Sequence, residues 1–262
     1  MDTTRPSNAA QIASPSYRIP ALDQDFLLGD SMRGLRFQLE YEKAEEALRA
    51  WKVNSTIVCF GSARAREGGA ARQAGWYAAA RDFGRIVSLE GGAKFAFEGG
   101  RENVIATGGG PGLMEAANRG AYDAGAPTIG FNITLPHEQQ PNPFTTPDLT
   151  FRFHYFAMRK MHLAMRANAL VAFPGGFGTF DELFEVMTLR QTGKGRDIPI
   201  ILFDEGYWRG VVNFERLADE GMIAREDLAL FSFADTPRAA WDAIVAMRNG
   251  PLLEPGGMKS ER

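Results

Sequence analysis

Glu182 has a carboxylate that could perform acid–base or electrostatic catalysis, and a glycine-rich segment precedes it. The segment 174–179 reads Pro-Gly-Gly-Phe-Gly-Thr, and Glu182 follows it by three residues. A carboxylate in this position can act as an acid, as a base or as a stabiliser of a developing positive charge. The same spacing also fits a capping box, in which Thr179 caps a helix and Glu182 is its partner at the third helical position. The spacing does not separate these two interpretations, which are compatible.

Three basic residues upstream of this segment, Arg159, His162 and Arg166, have the spacing of one helical face. A basic face in contact with solvent is the usual explanation for such a stripe. Arg159 and Lys160, however, fall in the first turn of the predicted helix, where positive charge opposes the helix dipole. Their position therefore suggests that they meet an anion.

The 29 glycines of this 262-residue chain are clustered rather than periodic, which excludes collagen-like and low-complexity sequences. Three clusters each follow a predicted strand and precede a predicted helix: Gly61 with Ser62; Gly108, Gly109, Gly110 and Gly112; and Gly175, Gly176 and Gly178 with Thr179. Glycine lets an anion approach the backbone, and a helix N-terminus there offers free N–H groups and partial positive charge. One cluster alone is better explained as a tight turn. Three clusters at one edge of a sheet indicate a ligand that carries phosphate.

The glycine spacing narrows the kind of phosphate ligand. The dinucleotide fingerprint G-x-G-x-x-G fails, because Leu113 and Asp181 stand where its third glycine would fall. The P-loop motif is also absent, since Gly195 replaces the Ser or Thr that should follow Gly193 and Lys194. NAD and ATP are therefore poor candidates, and a mononucleotide monophosphate fits the loops better.

Short apolar segments and amphipathic segments alternate along the chain and must position these loops. The predicted strands cover residues 56–60, 103–107, 128–133, 149–153, 169–173, 198–203 and 229–233. The predicted helices cover residues 31–51, 70–89, 113–124, 156–168, 180–192, 207–220 and 238–248. Such alternation is typical of an α/β fold, here a Rossmann-like, doubly wound parallel sheet with helices on both faces. We expect one such domain over residues 31–250, a flexible extension at 1–30 and a tail at 251–262.

The composition excludes several classes of protein. A formal net charge of −3 argues against a nucleic-acid partner that is bound through a bulk basic field. The lone Cys59 excludes disulfides within the chain and CxxC sites, and only three histidines are present, so no metal is expected. No apolar segment is long enough to span a membrane, and the first 20 residues lack the apolar region of a signal peptide. We therefore expect a cytoplasmic location.

Two motifs in the middle of the chain form a combined signature. The first joins Met158-Arg159-Lys160 to Phe-Pro-Gly-Gly-Phe-Gly-Thr-Phe-Asp-Glu over residues 173–182, and the second is Gly-Gly-Gly-Pro-Gly-Leu-Met-Glu-Ala-Ala-Asn over residues 108–118. Together they resemble the Lonely Guy family of cytokinin-activating phosphoribohydrolases, many of which were once mislabelled lysine decarboxylases. The similarity extends over about residues 50–235. The long spacing and the N-terminal helix look more like the long-chain subgroup than the compact plant dimers.

The resemblance implies hydrolysis of the N-glycosidic bond of an adenosine 5′-monophosphate, often N6-prenylated, to the free base and ribose 5-phosphate. It implies that Arg159 and Glu182 are the catalytic pair. The substrate-binding residues that it implies are Gly175, Gly176, Gly178 and Thr179 at the phosphate, Gly108, Gly109 and Gly110 around the pocket, and Glu138 and Thr188 as further contacts. Position alone adds Ser62 as a contact to ribose or phosphate, and Lys160 is expected to contact phosphate or to support the site.

The chemistry of the residues agrees with that reaction. Glycosidic cleavage passes through a cation-like sugar, which a carboxylate such as Glu182 stabilises while it activates water. Negative charge develops on the departing purine, and Arg159 offsets it electrostatically, because a guanidinium does not readily donate a proton. Neither a metal nor another cofactor is needed.

Two alternatives stay open at this point. One is a nucleosidase of broad specificity for purine nucleotide monophosphates, and the other is a nucleotide-binding or carrier protein without catalysis. The intact Arg159 and Glu182 count against the second alternative. The predicted N-terminal helix, with Leu35 and Leu48 on its apolar face, favours a homo-oligomer, either a dimer or a hexamer. We expect neither a nucleic acid nor a membrane as a partner.

Overall fold

The computed structural model describes residues 6–96, 99–135 and 140–249. The chain divides into two compact units, Met1–Lys43 and Ala44–Arg262, and the boundary falls within one helix. The first unit contains short helical segments, which are α1 (Ala9–Ala13), α2 (Gln24–Leu28) and the 3-10 helices Pro15–Tyr17, Pro20–Leu22 and Asp30–Met32. The domain limits predicted from the sequence, at residues 30 and 250, stay predictions.

The second unit is built on a seven-stranded parallel sheet. Its strands are β1 (Thr56–Phe60), β2 (Val104–Thr107), β3 (Thr128–Ile133), β4 (Thr150–Phe153), β5 (Ala167–Ala172), β6 (Ile200–Phe203) and β7 (Ser232–Ala234). Their order across the sheet is β4-β3-β2-β1-β5-β6-β7, so the order reverses at β1, which pairs with both β2 and β5. In doubly wound sheets, such a reversal opens a crevice at the carboxyl ends of the central strands.

The helices of the second unit lie before, between and after these strands. They are α3 (Arg33–Ala50), which begins in the first unit, α4 (Ala71–Glu90), α5 (Leu113–Asp123), α6 (Phe156–Met165), α7 (Phe177–Gln191), α8 (Glu205–Val211), α9 (Phe214–Asp219) and α10 (Pro237–Asn249). The 3-10 helices Pro147–Leu149 and Arg225–Leu230 precede β4 and β7. Along the described ranges, no helix combines the length and the apolar character that a membrane span requires.

Two hydrophobic layers separate the sheet from its helices. Alternate residues of β1 enter different clusters: Val58 and Phe60 join one, and Ile57 and Cys59 join the other. Because successive residues of a strand point to opposite faces, the two clusters lie on the two sides of the sheet. This three-layer arrangement confirms the predicted doubly wound α/β fold.

Most predicted elements differ from the observed ones only at their ends, and β1 and β3 have the predicted bounds. The main shifts are that β5 begins at Ala167 rather than 169, α6 ends at Met165 rather than 168, α7 begins at Phe177 rather than 180, and β7 begins at Ser232 rather than 229. The predicted helix 207–220 is two helices, because Asn213 accepts a hydrogen bond from the N–H of Arg216 and caps α9. The spacing of apolar residues, from which the helix was predicted, carries no information about a polar capping residue within the segment.

Helices α4 and α5 cross at very close range, and glycine makes this possible. A Cβ on Gly84 would overlap the carbonyl oxygen of Ala117, and a Cβ on Gly120 would overlap that of Arg81. Contact between backbones leaves no space for a side chain at either position. This contact fixes the position of α5, whose N-terminus directly follows the glycine cluster after β2.

We predict opposite effects of alanine at two glycines of α4. Gly84→Ala should lower the free energy of unfolding by about 2 kcal/mol, because α5 must move away from the new methyl group. Gly75→Ala is the matched control: Gly75 is exposed and has nothing within 4 Å of an added Cβ, so the variant keeps every contact. Its higher helix propensity should raise stability by about 0.5–1 kcal/mol. Urea denaturation followed by circular dichroism measures both, and stabilisation by Gly84→Ala would contradict the close helix contact.

Candidate active site

A cavity of about 690 Å³ opens at the carboxyl ends of β1, β2 and β5, where the strand order reverses. The predicted site residues that line it are Ser62, Gly108, Arg159, Gly175, Gly176, Gly178, Thr179 and Glu182. The structure thus brings together the loops after three strands and both members of the charged pair. A cavity of this volume is typical of a site for a small molecule.

Backbone hydrogen bonds hold the loops after β1 and β5 side by side. The N–H of Ser62 donates to the carbonyl of Pro174 (3.0 Å), and the N–H of Phe173 donates to that of Phe60 (2.9 Å). The Ser62 carbonyl in turn accepts from the N–H of Leu113, the first residue of α5 (3.0 Å). These bonds continue the pairing of the strands beyond their ends, so the loops have fixed positions around the cavity.

The loop after β5 presents its backbone to the cavity. A Cβ on Gly175 would overlap Thr179 Oγ1, whereas Gly176 and Gly178 have nothing within 4 Å of an added Cβ. Gly176 precedes α7, whose N-terminus has no side-chain cap. The first N–H groups of α7 therefore lie at the cavity wall without a side-chain acceptor, and this arrangement binds anions at helix N-termini.

The capping-box interpretation of Thr179 and Glu182 is wrong. Because α7 begins at Phe177, Thr179 is its third residue and Glu182 its sixth. Extended backbone at Gly176 (φ −99°, ψ −155°) precedes the helix, and no side chain caps it. Glu182 therefore lies in the second turn rather than the first, and its carboxylate is not used for capping.

Arg159 and Glu182 form an ion pair in the cavity. Arg159 is the fourth residue of α6, and its Nη2 donates to Oε1 of Glu182. Their side chains are only 13% and 6% exposed, so water screens the pair weakly. The buried Nε of Arg159 has no hydrogen-bond partner in the described chain, so the protein satisfies this guanidinium only in part.

Burial raises the pKa of Glu182, and the nearby cations Arg159 and Lys160 oppose that shift without cancelling it. The pKa of this carboxyl therefore lies above its usual value. Its ionised form is a stronger base than an exposed carboxylate, and it interacts strongly with positive charge that develops beside it. A carboxyl with these properties in a cavity is suited to acid–base or electrostatic catalysis.

Two residues that were predicted to bind substrate lie away from the cavity. Lys160 Nζ is 2.8 Å from a carboxylate oxygen of Asp181 and 2.9 Å from one of Glu185. Thr188 donates its hydroxyl to the carbonyl of Phe184 (2.7 Å) and, with Lys160, lines a shallow groove along the exposed side of α7. Neither side chain lines the cavity.

The predicted glycines after β2 have different surroundings. Gly108 lines the cavity. Gly109 and Gly110 instead accept hydrogen bonds from Asn142 through their backbone carbonyls. Asn142 donates its N–H to the Gly109 carbonyl (2.8 Å) and its Nδ2 to the Gly110 carbonyl (3.1 Å). These two glycines thus shape the loop rather than form the cavity wall. The predicted contact Glu138 lies outside the described residues.

A buried polar network supports the same loop. Asn118 Oδ1 accepts from the hydroxyl of Thr107 (2.7 Å) and from Nδ2 of Asn142 (3.0 Å), and Asn118 Nδ2 donates to Thr128. Thr107 also accepts from the N–H of Gly109 (2.9 Å). All four side chains are buried, and hydrogen bonds of this kind keep such a network rigid. No sequence motif indicated the network, because its members come from separate segments of the chain.

The other two residues of the basic stripe do not face solvent. Arg166 makes two hydrogen bonds to the carboxylate of Glu45, which is only 2% exposed, and His162 is buried against Phe131 and Phe153. The hydrogen bond from Arg166 lowers the pKa of Glu45. Burial lowers the pKa of His162 and so favours its neutral ring. The solvated-face explanation is therefore wrong for both residues, which stabilise the packing of α6.

The sequence did not identify several residues of the cavity wall, which are Phe60, Ala63, Arg64, Met114, Phe177, Phe180 and Tyr207. Tyr207 donates its hydroxyl to the Gly175 carbonyl and thereby supports the loop after β5. Asp204 caps α8 and accepts from the N–H of Tyr207 (2.8 Å) and from Nε1 of Trp76 (2.7 Å). The signal that could have found Tyr207 is its position just after β6, a strand whose carboxyl end lies at the same edge of the sheet.

The residues of the cavity limit its chemistry. The described lining contains one carboxylate, Glu182, and two guanidinium groups, Arg64 and Arg159, but no lysine that could form a Schiff base. In the described part of the chain, no group of three or more His, Cys, Asp or Glu side chains could hold a metal ion. The site offers a backbone cradle for an anion next to a buried, ion-paired carboxylate.

Comparison with curated proteins gives relatives of modest identity. A cytokinin riboside 5′-monophosphate phosphoribohydrolase of Arabidopsis thaliana, LOG7, is 30% identical over 127 residues, which cover 47% of this chain and 57% of that protein. A second one from the same plant, LOG4, is 29% identical over 140 residues, with 52% and 63% covered. The chain thus matches little more than half the length of these relatives.

Comparison with solved structures agrees with the fold. The X-ray structure of a target of the Northeast Structural Genomics Consortium matches with a TM-score of 0.50 and 21% identity, over 73% of this chain and 98% of that one. At this level of identity, the likeness bears on the fold alone.

Comparison with protein families gives a match to one family. The family described as "Possible lysine decarboxylase" matches residues 114–244, which is half of the chain and contains Arg159, Glu182 and the loop after β5. The chain therefore belongs to this family, which is the Lonely Guy family that its two motifs indicated.

Proposed function

We propose that this chain hydrolyses the N-glycosidic bond of adenosine 5′-monophosphate, in plain or N6-modified form, to the free base and ribose 5-phosphate. The observation that carries the proposal is the buried Arg159–Glu182 ion pair in a cavity that the N-terminus of α7 also lines. The names of the curated relatives, which are phosphoribohydrolases of cytokinin riboside 5′-monophosphates, support it.

In the proposed complex, the 5′-phosphate lies at the N-terminus of α7. The backbone at Gly176 and Gly178 is open to a ligand, and the helix start has no side-chain cap. The partial positive charge of a helix N-terminus favours a phosphate dianion. Glu182 follows Gly178 by about one turn of the same helix, so a phosphate bound there places the ribose near the carboxylate.

The reaction breaks the bond between C1′ of the ribose and N9 of the purine. The electron pair of that bond leaves with the base, positive charge develops on C1′ and the ring oxygen, and the oxygen of water bonds to C1′. The Glu182 carboxylate stabilises this charge and accepts a proton from the attacking water, and the leaving purine finally takes up that proton. Arg159 holds the carboxylate in place and offsets the negative charge on the departing base.

The decarboxylase chemistry in the family description is not part of this proposal. Pyridoxal-dependent decarboxylation uses a lysine amine that forms a Schiff base with the cofactor. Lys160, the lysine nearest in sequence to Arg159, is held by Asp181 and Glu185 outside the cavity. Burial lowers the pKa of Lys160, but the two carboxylates outweigh that effect and raise it, so the amine stays protonated and is not nucleophilic.

We predict that Glu182→Gln lowers the rate of base release from adenosine 5′-monophosphate at least about 100-fold, because glutamine keeps the shape of the side chain but neither carries the charge nor accepts the proton. The matched control is Glu185→Gln on the same helix, whose carboxylate lies outside the cavity and should be dispensable. Chromatography of the released base from AMP, isopentenyl-AMP, GMP and CMP measures both variants and the wild type. If the rate of base release fell equally in the two variants, Glu182 would have no specific role in the reaction.

The four substrates also separate the alternatives. Base release from the two adenylates alone supports the proposed reaction. Similar rates with GMP favour a nucleosidase of broad purine specificity. Binding of AMP without release of base from any of the four would contradict the proposal and would identify a nucleotide-binding or carrier protein.

The raised pKa of Glu182 predicts how stability depends on pH. A group whose pKa is higher in the folded state contributes stability below its unfolded pKa, near 4.5 here, and loses that contribution as the pH rises through the folded pKa. Glu182→Gln cannot titrate, so its free energy of unfolding should increase relative to that of the wild type as the pH rises above about 4.5. Urea titrations at several pH values measure this difference. A difference that does not change with pH would show that the pKa is not raised.

A further inference from the structure

Arg64 is a cation in the cavity wall that no described carboxylate neutralises. Arg64 and Arg159 are the guanidinium groups in the described lining. Arg159 is paired with Glu182, but the side chain of Arg64 forms no ion pair or hydrogen bond within the described chain, and the residue is exposed. The protein therefore balances the charge of Arg159, whereas the charge of Arg64 is available to a ligand.

The loop after β1 holds Arg64 in a defined position. The N–H of Arg64 donates to the hydroxyl of Ser62 (3.1 Å), and the N–H of Ser62 donates to Pro174 (3.0 Å). The next residue, Ala65, is buried in the hydrophobic layer that contains α4, with 1% exposure. The backbone of Arg64 is thus fixed on both sides, although its side chain is exposed.

The same hydrogen bonds connect Arg64 to the anion-binding loop. Pro174, which accepts from Ser62, is followed directly by Gly175 and Gly176 at the start of α7. Arg64 and the N-terminus of α7 therefore belong to two joined loops that line one cavity. An anion in this cavity meets a partial positive charge from the helix and a full positive charge from the guanidinium.

We propose that Arg64 binds the 5′-phosphate of the substrate and makes the site select nucleoside monophosphates over nucleosides. The identity of the ligand rests on the proposed function. A guanidinium forms two parallel hydrogen bonds to a phosphate. A phosphomonoester carries up to two negative charges, and the partial positive charge of the helix N-terminus does not balance them alone, so a full positive charge from Arg64 is favourable. Nearby Arg66 has no such role, because it is exposed and does not line the cavity.

Binding of a non-hydrolysable pair of ligands tests this assignment. Formycin 5′-monophosphate is an adenylate analogue whose glycosidic bond is a carbon–carbon bond, and formycin is the same molecule without phosphate. Calorimetric titration of both ligands into the full chain compares the wild type with Arg64→Gln, Arg64→Lys and the matched control Arg66→Gln. Thermal denaturation of each variant verifies folding, which should be unchanged because neither side chain is buried.

Arg64→Gln should weaken binding of the monophosphate at least about tenfold and leave formycin binding unchanged. Arg64→Lys should lose less, because it keeps the charge but not the paired hydrogen bonds. Arg66→Gln should match the wild type. The proposal is overturned if Arg64→Gln binds the monophosphate like the wild type, if Arg66→Gln loses as much, or if formycin binding falls by the same factor.

The result is separate from that of the hydrolysis assay. A protein that binds the monophosphate through Arg64 but releases no base from AMP would contradict the proposed function and support the assignment of Arg64. If the protein releases base from AMP but Arg64→Gln does not weaken binding of the monophosphate, the proposed function is supported and the assignment of Arg64 is contradicted. Failure of the wild type to bind the monophosphate at all would overturn the assignment.

Discussion

The connections that leave β1 and β5 run to opposite faces of the sheet, although the two strands are hydrogen-bonded neighbours. Helix α4, after β1, packs in the layer that contains Ile57, and α7, after β5, packs in the layer that contains Val58. The loops must therefore diverge above adjacent strand ends, and a crevice forms between them. The hydrogen bond from Ser62 to Pro174 limits their separation, so the crevice has a fixed width and α7 starts at its edge. Every feature of the candidate site depends on this divergence.

The sequence predicted the sheet well because strands buried on both faces are continuous apolar segments. It placed the start of α7 too late for an equally physical reason. Gly176 and Gly178 have low helix propensity, and Thr179 is a favourable cap, so local preference starts the helix after them. The structure includes Gly178 and Thr179 in the helix. The difference matters, because it moves Glu182 from a capping position to one that faces the cavity.

The candidate site was predictable only where a motif or a resemblance marked it. Arg159 and Glu182 were paired by resemblance, since their spacing in the chain says nothing about contact between two helices. Arg64, Asn142 and Tyr207 were not predicted, because their positions depend on which strand ends are neighbours. Helix and strand periodicity establishes that a sheet exists, but the order of its strands is set by tertiary packing. A residue directly after a strand is therefore a candidate only once that order is known.

Neighbouring residues on a helix point in different directions, and this explains why Arg159 and Lys160 have different surroundings. Arg159 faces Glu182 in the cavity, while Lys160 lies between Asp181 and Glu185 on the exposed side of α7. The two helices are thus joined by ion pairs on both sides of their contact. Because Asp181 and Glu185 are 55% and 40% exposed, water screens these pairs, and loss of either one should leave the Glu182 carboxylate opposite Arg159. Of these two adjacent cations, Arg159 lines the cavity, and Lys160 contributes to the contact between α6 and α7.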